Sequence, residues 1–135
     1  MSTAEQMLET YPGSVPAEAG LLAETIAAAF DCAQACSACA DACLAEDTVT
    51  ELRRCIGLDL DCADVCAATG QVLSRQTGYD ANLTRAVLQA CAQACRSCGD
   101  ECARHAQRGM AHCSVCADAC RRCEDACNRL LAGLG

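Results

Sequence analysis

Cysteine thiols spaced three and four residues apart are the groups in this chain most able to do chemistry. Sixteen of the 135 residues are Cys. They form four clusters: Cys32, Cys36, Cys39 and Cys43; Cys55, Cys62 and Cys66; Cys91, Cys95, Cys98 and Cys102; and Cys113, Cys116, Cys120, Cys123 and Cys127. Steps of three and four place side chains on one face of an α-helix, so each cluster is a stripe of sulfur along a helix. A buried thiol can act as a small apolar side chain. Ala, Leu or Val would pack as well without oxidising, so this many thiols on matching faces needs another reason. Disulfides within a stripe are opposed by geometry, because Cβ atoms four residues apart on a helix are about 5–6 Å apart and a disulfide holds them at about 3.5–4.5 Å. Bridges between helices stay open on this ground. The remaining chemistry is metal binding by thiolate.

The identity of the metal follows from reach and charge. A zinc–sulfur bond is about 2.3 Å, and two bonds of that length end to end span roughly 4.5 Å, which thiols at i and i+4 can reach with ordinary rotamers. Cu(I) is soft and accepts two or three thiolates, whereas zinc usually takes four. About one Cu(I) per Cys leaves a neutral interior, while four thiolates per Zn²⁺ leave net negative charge in a low-dielectric core, which is costly. Iron–sulfur clusters are the competitor, since Cys36/Cys39, Cys95/Cys98, Cys113/Cys116 and Cys120/Cys123 each form CxxC. Their ligands usually come from loops that wrap the cluster, and these lie inside helices. The expectation is therefore many Cu(I) ions, about one per Cys. Three further residues are candidates. His105 continues the third stripe, His112 precedes the fourth, and Asp59 stands between Cys55 and Cys62 where the repeat calls for Cys. Imidazole can accept Cu(I) and pass it to thiolate. Carboxylate is a poor match for a soft ion, so Asp59 would attract ions, take up thiol protons or ligate only transiently; otherwise it turns aside to meet an Arg.

These stripes need helices to carry them. Ser2 and Glu5 read as a capping box on a short first helix, broken by Tyr11, Pro12 and Gly13. A long helix is expected from Ser14–Pro16 to about Glu46, and a second from a Thr48/Glu51 capping box to near Gly78. A third is expected from an Asp80 cap to Gly109, and a fourth from about Met110 to Ala132. The predicted fold is all-α: a short N-terminal helix and turn over residues 1–13, then an antiparallel four-helix bundle with a Cys-lined lumen over 14–135. CAQAC opens both the first and third stripes, which looks like duplication of a helical hairpin. The thiols gather towards the loops at Asp47 and Arg108, where ions would be admitted. The other end collects Leu21, Leu22, Ile26, Phe30, Val72, Leu73, Leu83, Val87, Leu88, Leu130 and Leu131 as an apolar plug.

Composition bounds the function. There is one Phe, two Tyr and no Trp, so burial alone would stabilise this core weakly. A formal charge of −8 argues against a nucleic-acid partner. No signal peptide is visible behind Met1, and no stretch would span a membrane. A cytoplasmic location follows as the expectation, and there Cys-rich patterns read as metal sites before disulfides. No nucleophile–base pair or open catalytic metal site stands out, so an enzyme is not expected.

The strings CAQACSACADAC, CIGLDLDCADVC, CAQACRSCGDEC and HCSVCADACRRCEDAC resemble the bacterial cytosolic copper storage proteins along essentially the whole chain. The resemblance implies a pre-formed four-helix bundle whose lumen holds many Cu(I) ions on thiolates, assembled as a homotetramer and serving copper homeostasis. The chain lacks the twin-Arg signal and Met cluster of exported members and is similar to the cytosolic branch. The alternatives are a copper chaperone handing a few ions to partners, or an iron–sulfur electron carrier.

Overall fold

The structure, a computed structural model, describes residues 1–134; residue 135, where the sequence reading ends the bundle, lies outside them. A short helix α1 (Thr3–Glu9) precedes four long ones, α2 (Ala19–Leu44), α3 (Arg53–Leu73), α4 (Ala81–Ala106) and α5 (Ala111–Gly133). Among the described residues there is no strand. Neighbours pack in a ring, α2 on α3, α3 on α4, α4 on α5 and α5 back on α2, with α1 laid against α2. The short joins make successive helices antiparallel.

Local chemistry sets the helix ends, in several places one turn from the sequence expectation. The Ser2/Glu5 capping box forms in full. α2 begins later than Ser14–Pro16, because the Glu18 carboxylate accepts from the backbone N–H of Gly20 at 2.8 Å and of Leu21 at 2.6 Å and so caps Ala19 onward. It ends at Leu44, short of Glu46. The capping box expected at Thr48 does not form; Thr48 is not extended, its side chain caps nothing, and Val49–Glu51 make one 3₁₀ turn ahead of α3. α3 stops at Leu73, well before Gly78. The Ser74 hydroxyl donates to the Gly70 carbonyl at 2.6 Å and the Gln76 amide to the Leu73 carbonyl at 2.8 Å, so side chains finish the helix. The Asp80 cap on α4 is present. α4 ends at Ala106 rather than Gly109, and Gly109 sits in the connecting turn at φ +92°, a conformation that costs glycine least. Met110 stands at the N-cap position of α5 without a side-chain cap, and the helix reaches Gly133.

All sixteen cysteines are buried. Gly99 lets α4 and α5 approach closely, since a Cβ there would stand 3.2 Å from the Cβ of Cys120. The closed end is built from Leu22, Ile26, Leu73, Leu88 and Leu130. Two residues expected in that plug are outside it. Leu83 is 50 % exposed, and Phe30 is 38 % exposed on the bundle surface, where its ring covers Gly70 and borders the α1 groove. Leu21, Val72, Val87 and Leu131 are only partly covered. Of the acidic residues off the stripes that the sequence places on a solvated face, Asp61, Asp64, Asp100 and Asp118 are exposed, whereas Glu124 is partly buried and pairs with Arg96 and Arg121. No described helix is long and apolar enough to cross a membrane.

Candidate metal centre

The four stripes meet in register and stack as layers, each drawing on facing helices. Near the middle, Cys32 of α2 lies 3.9 Å from Cys62 of α3, 3.9 Å from Cys95 of α4 and 3.8 Å from Cys120 of α5, sulfur to sulfur. Towards the plug, Cys66 is 3.7 Å from Cys91 and 3.6 Å from Cys95, and Cys91 is 3.7 Å from Cys123. Cys127 is buried at the same end. α2 contributes no thiol to that layer; the residue one turn before Cys32 is the buried Ala29. On the other side, Cys36 lies 3.9 Å from Cys98 and 3.7 Å from Cys116. The outermost layer joins Cys39 to Cys113 at 3.9 Å and Cys55 to Cys102 at 3.8 Å, with Cys43 beside them.

These separations exclude disulfides as the resting arrangement, because bonded sulfurs are about 2.05 Å apart. Two thiolates sharing one ion through bonds of about 2.3 Å are about 4 Å apart at trigonal angles and about 3.8 Å apart at tetrahedral ones. The thiols thus stand near ligand spacing. Several sets of four have their ligand atoms within 4.8 Å of one another, and the sets overlap: Cys32, Cys36, Cys62, Cys66, Cys95 and Cys120 each belong to at least two. Shared corners mean that bound ions would be bridged by common thiolates into clusters. Distance admits zinc as well as Cu(I), and charge separates them, since only a monovalent ion neutralises the thiolates one for one.

Asp59 is fully buried and has not turned aside to an Arg. It supplies the α3 position in the layer of Cys36, Cys98 and Cys116. The Cys98 thiol donates to its Oδ1 at 3.0 Å, that of Cys116 at 3.3 Å and that of Cys102 at 3.4 Å. Burial, then the contact with Cys98, pushes the carboxyl from an ordinary 3.8 up to about 9. Burial and the neighbouring Cys39 likewise push Cys43 up to about 12, and Cys113 is raised for the same reasons. A cation that binds at any of these protonated groups displaces a proton.

A pH dependence follows from Asp59. Between its unfolded value of 3.8 and its folded value of about 9, the folded chain keeps a proton that the unfolded chain has lost. The group's stabilisation is complete below about pH 4 and declines as pH rises towards 9. Reduced, metal-free Asp59→Asn should be more stable than the parent at pH 8 by about 1–3 kcal/mol, with the gap closing by pH 4. Urea unfolding followed by circular dichroism measures this; parallel pH profiles for the two proteins would contradict it.

The two histidines are placed differently. His112 is half-buried, with Nδ1 3.4 Å from the sulfur of Cys39 and 3.6 Å from that of Cys113, and its Nε2 is 3.2 Å from Glu46. Burial opposes its protonation, but Cys39 and Glu46 outweigh that and raise its pKa. His105, expected at an open mouth, is instead buried, with Nε2 2.9 Å from Glu101. Its Nδ1 has no hydrogen-bond partner among the described residues. Met110 is partly buried and packs against the core. Glu101 and Glu46 escaped the sequence reading. The first was legible as a Glu–His pair at i,i+4 beside Cys102; nothing local marks the second, 66 residues from its partner.

Three comparisons bear on this geometry. A family model described as copper storage protein matches residues 19–132. The copper storage protein Ccsp of Streptomyces lividans, loaded with 10 copper equivalents, is 61% identical, covers 97% of this chain and 99% of its own, and superposes with a TM-score of 0.93. A structure of copper loading to the cytosolic copper storage protein of the same organism, with five coppers, is 67% identical over 86% of this chain and 96% of its own, at a TM-score of 0.83. The uncharacterized cysteine-rich protein YhjQ of Bacillus subtilis (strain 168) is 40% identical over 80 residues, 59% of this chain and 70% of that protein.

Proposed function

The chain belongs to the copper storage protein family, and from that premise we propose that it stores Cu(I) in the cytoplasm inside the bundle, with all sixteen cysteines as ligands. The observation that carries the reading is the column of sixteen buried free thiols, in which contacting sulfurs are 3.6–3.9 Å apart from the Cys66–Cys95 contact to the Cys39–Cys113 contact. A column of soft donors whose thiolates are neutralised one for one by a monovalent ion suits many Cu(I) ions better than a few divalent ones. Storage is the work of the column, not catalysis: its donors face one another across the bundle and leave no position for a substrate.

Ions are admitted at the end formed by residues 45–52 and 107–110. There His112 already touches Cys39 and Cys113, and His105 offers a free ring nitrogen. Asp59 lies one layer further in, where its buried, protonated carboxyl accepts hydrogen bonds from the thiols of Cys98, Cys116 and Cys102 and must give up its proton before it can meet a cation. Four copies assemble as a homotetramer, in keeping with the family resemblance of the sequence.

Anaerobic titration of the reduced protein with Cu(I), followed by native mass spectrometry, tests the reading. Capacity should reach about one ion per Cys, with a few more at imidazole and bridging positions. Saturation at two to four ions would contradict storage and favour a chaperone.

A further inference from the structure

Both imidazoles at the mouth are held the same way, although they stand on different helices. Each turns Nε2 to a glutamate and leaves Nδ1 without an acidic or backbone partner. Nε2 of His105 lies 2.9 Å from Glu101 and Nε2 of His112 lies 3.2 Å from Glu46. An ionised carboxylate only accepts hydrogen bonds, so Nε2 must be the protonated nitrogen in each pair. In the neutral ring the lone pair is then on Nδ1. At His112 that nitrogen faces the sulfurs of Cys39 and Cys113, and at His105 it is buried and unpartnered.

The glutamates are themselves fixed. Glu101 is 6 % exposed, receives Arg104 from its own helix and lies 3.6 Å from Arg54 of α3. Burial opposes its ionisation, but His105 and Arg104 outweigh burial and keep the carboxyl below its ordinary value. Arg104 and Arg54 both approach Oε1 and hold the carboxylate from that side, which leaves Oε2 aimed at the imidazole. Glu46 reaches from the end of α2 across to the start of α5, and ties the ring to the layer that holds Cys39.

We propose that Glu101 and Glu46 are positioning residues for Cu(I) uptake, each fixing one mouth imidazole as the Nε2–H tautomer so that Nδ1 is the nitrogen offered to the ion. This rests on the reading that the histidines take Cu(I) first. Neither glutamate ligates copper. An outer carboxylate of this kind orients the ring and raises its basicity, and its loss typically costs ten-fold or more in affinity or rate.

The test compares the parent with Glu46→Gln/Glu101→Gln, with His105→Ala/His112→Ala, and with all four substitutions combined. Anaerobic Cu(I), supplied as its acetonitrile complex, is mixed in stopped flow. Ring tautomers of the metal-free proteins are read from long-range ¹H–¹⁵N spectra, and helicity from circular dichroism. The parent should show protonated Nε2 and bare Nδ1 on both rings. The Gln variant should keep its helicity, lose that single tautomer, and take up its first ions about ten-fold more slowly, approaching the rate of the His-less protein. In the His-less background the Gln substitutions should change nothing. If they slow uptake there equally, the carboxylates act by attracting cations and the positioning role fails. Unchanged tautomers and rates in the Gln variant would also overturn it. Unchanged uptake in the His-less protein would instead remove the underlying reading that imidazoles receive the ion.

Discussion

Loading with Cu(I) should leave the helicity of the reduced protein almost unchanged while raising its unfolding temperature by at least about 20 °C. The helices do not depend on metal. The caps at Ser2, Glu18 and Asp80 are made by protein groups, and an apolar end of Leu22, Ile26, Leu73, Leu88 and Leu130 closes the bundle. Small zinc domains differ, because there the metal supplies the folding energy and the apo chain is unfolded. Here the same thiols that fill the core as small apolar groups become cross-links between facing helices on loading. An ion that binds only the folded chain adds about 4 kcal/mol at a free concentration a thousand times its dissociation constant, and many ions bind. Thermal scans and far-ultraviolet circular dichroism of the apo and loaded forms measure both quantities. A large gain in helicity would mean that the lumen is assembled by copper rather than awaiting it.

The second large effect concerns continuity of the column. Cys32, Cys62, Cys95 and Cys120 contribute one thiol from each long helix to a single layer. Replacing all four by Ala should lower Cu(I) capacity by at least about a quarter, because each thiolate is shared between ions. It should also delay filling beyond the gap, at Cys66, Cys91, Cys123 and Cys127, since ions would have to cross a stretch without donors. The apo protein should remain folded, with about 1 kcal/mol lost per thiol removed. Native mass spectrometry gives the end point and stopped flow the slow phase. Undiminished capacity would show that the ions reside elsewhere.

Much of this was legible in the sequence because helical periodicity is a property of one chain segment at a time. The four stripes, the Ser2 and Asp80 caps and the four-helix architecture required only local spacing. What was not legible depended on register between segments. Whether Asp59 turned outward or inward could be decided only when α3 was set against α4 and α5, which bring Cys98 and Cys116 within 3.3 Å of it. Glu46 meets His112 only because the α2–α3 and α4–α5 joins lie at the same end. Leu83 and Phe30 looked like core because they are large and apolar, yet their helical angle points them outward. Thr48 and Glu51 had the right types for a capping box, but the chain turns there through a single 3₁₀ turn and the Thr48 backbone is not extended.

The most direct measurement is anomalous diffraction at the copper edge from crystals of the fully loaded protein. Copper should appear as a string of peaks inside the bundle, each within about 2.3 Å of two or three of the cysteine sulfurs, from the layer of Cys66 and Cys91 to that of Cys39 and Cys113. Peaks confined to the surface or the mouth histidines, with the inner thiols uncoordinated, would contradict storage in the sulfur column.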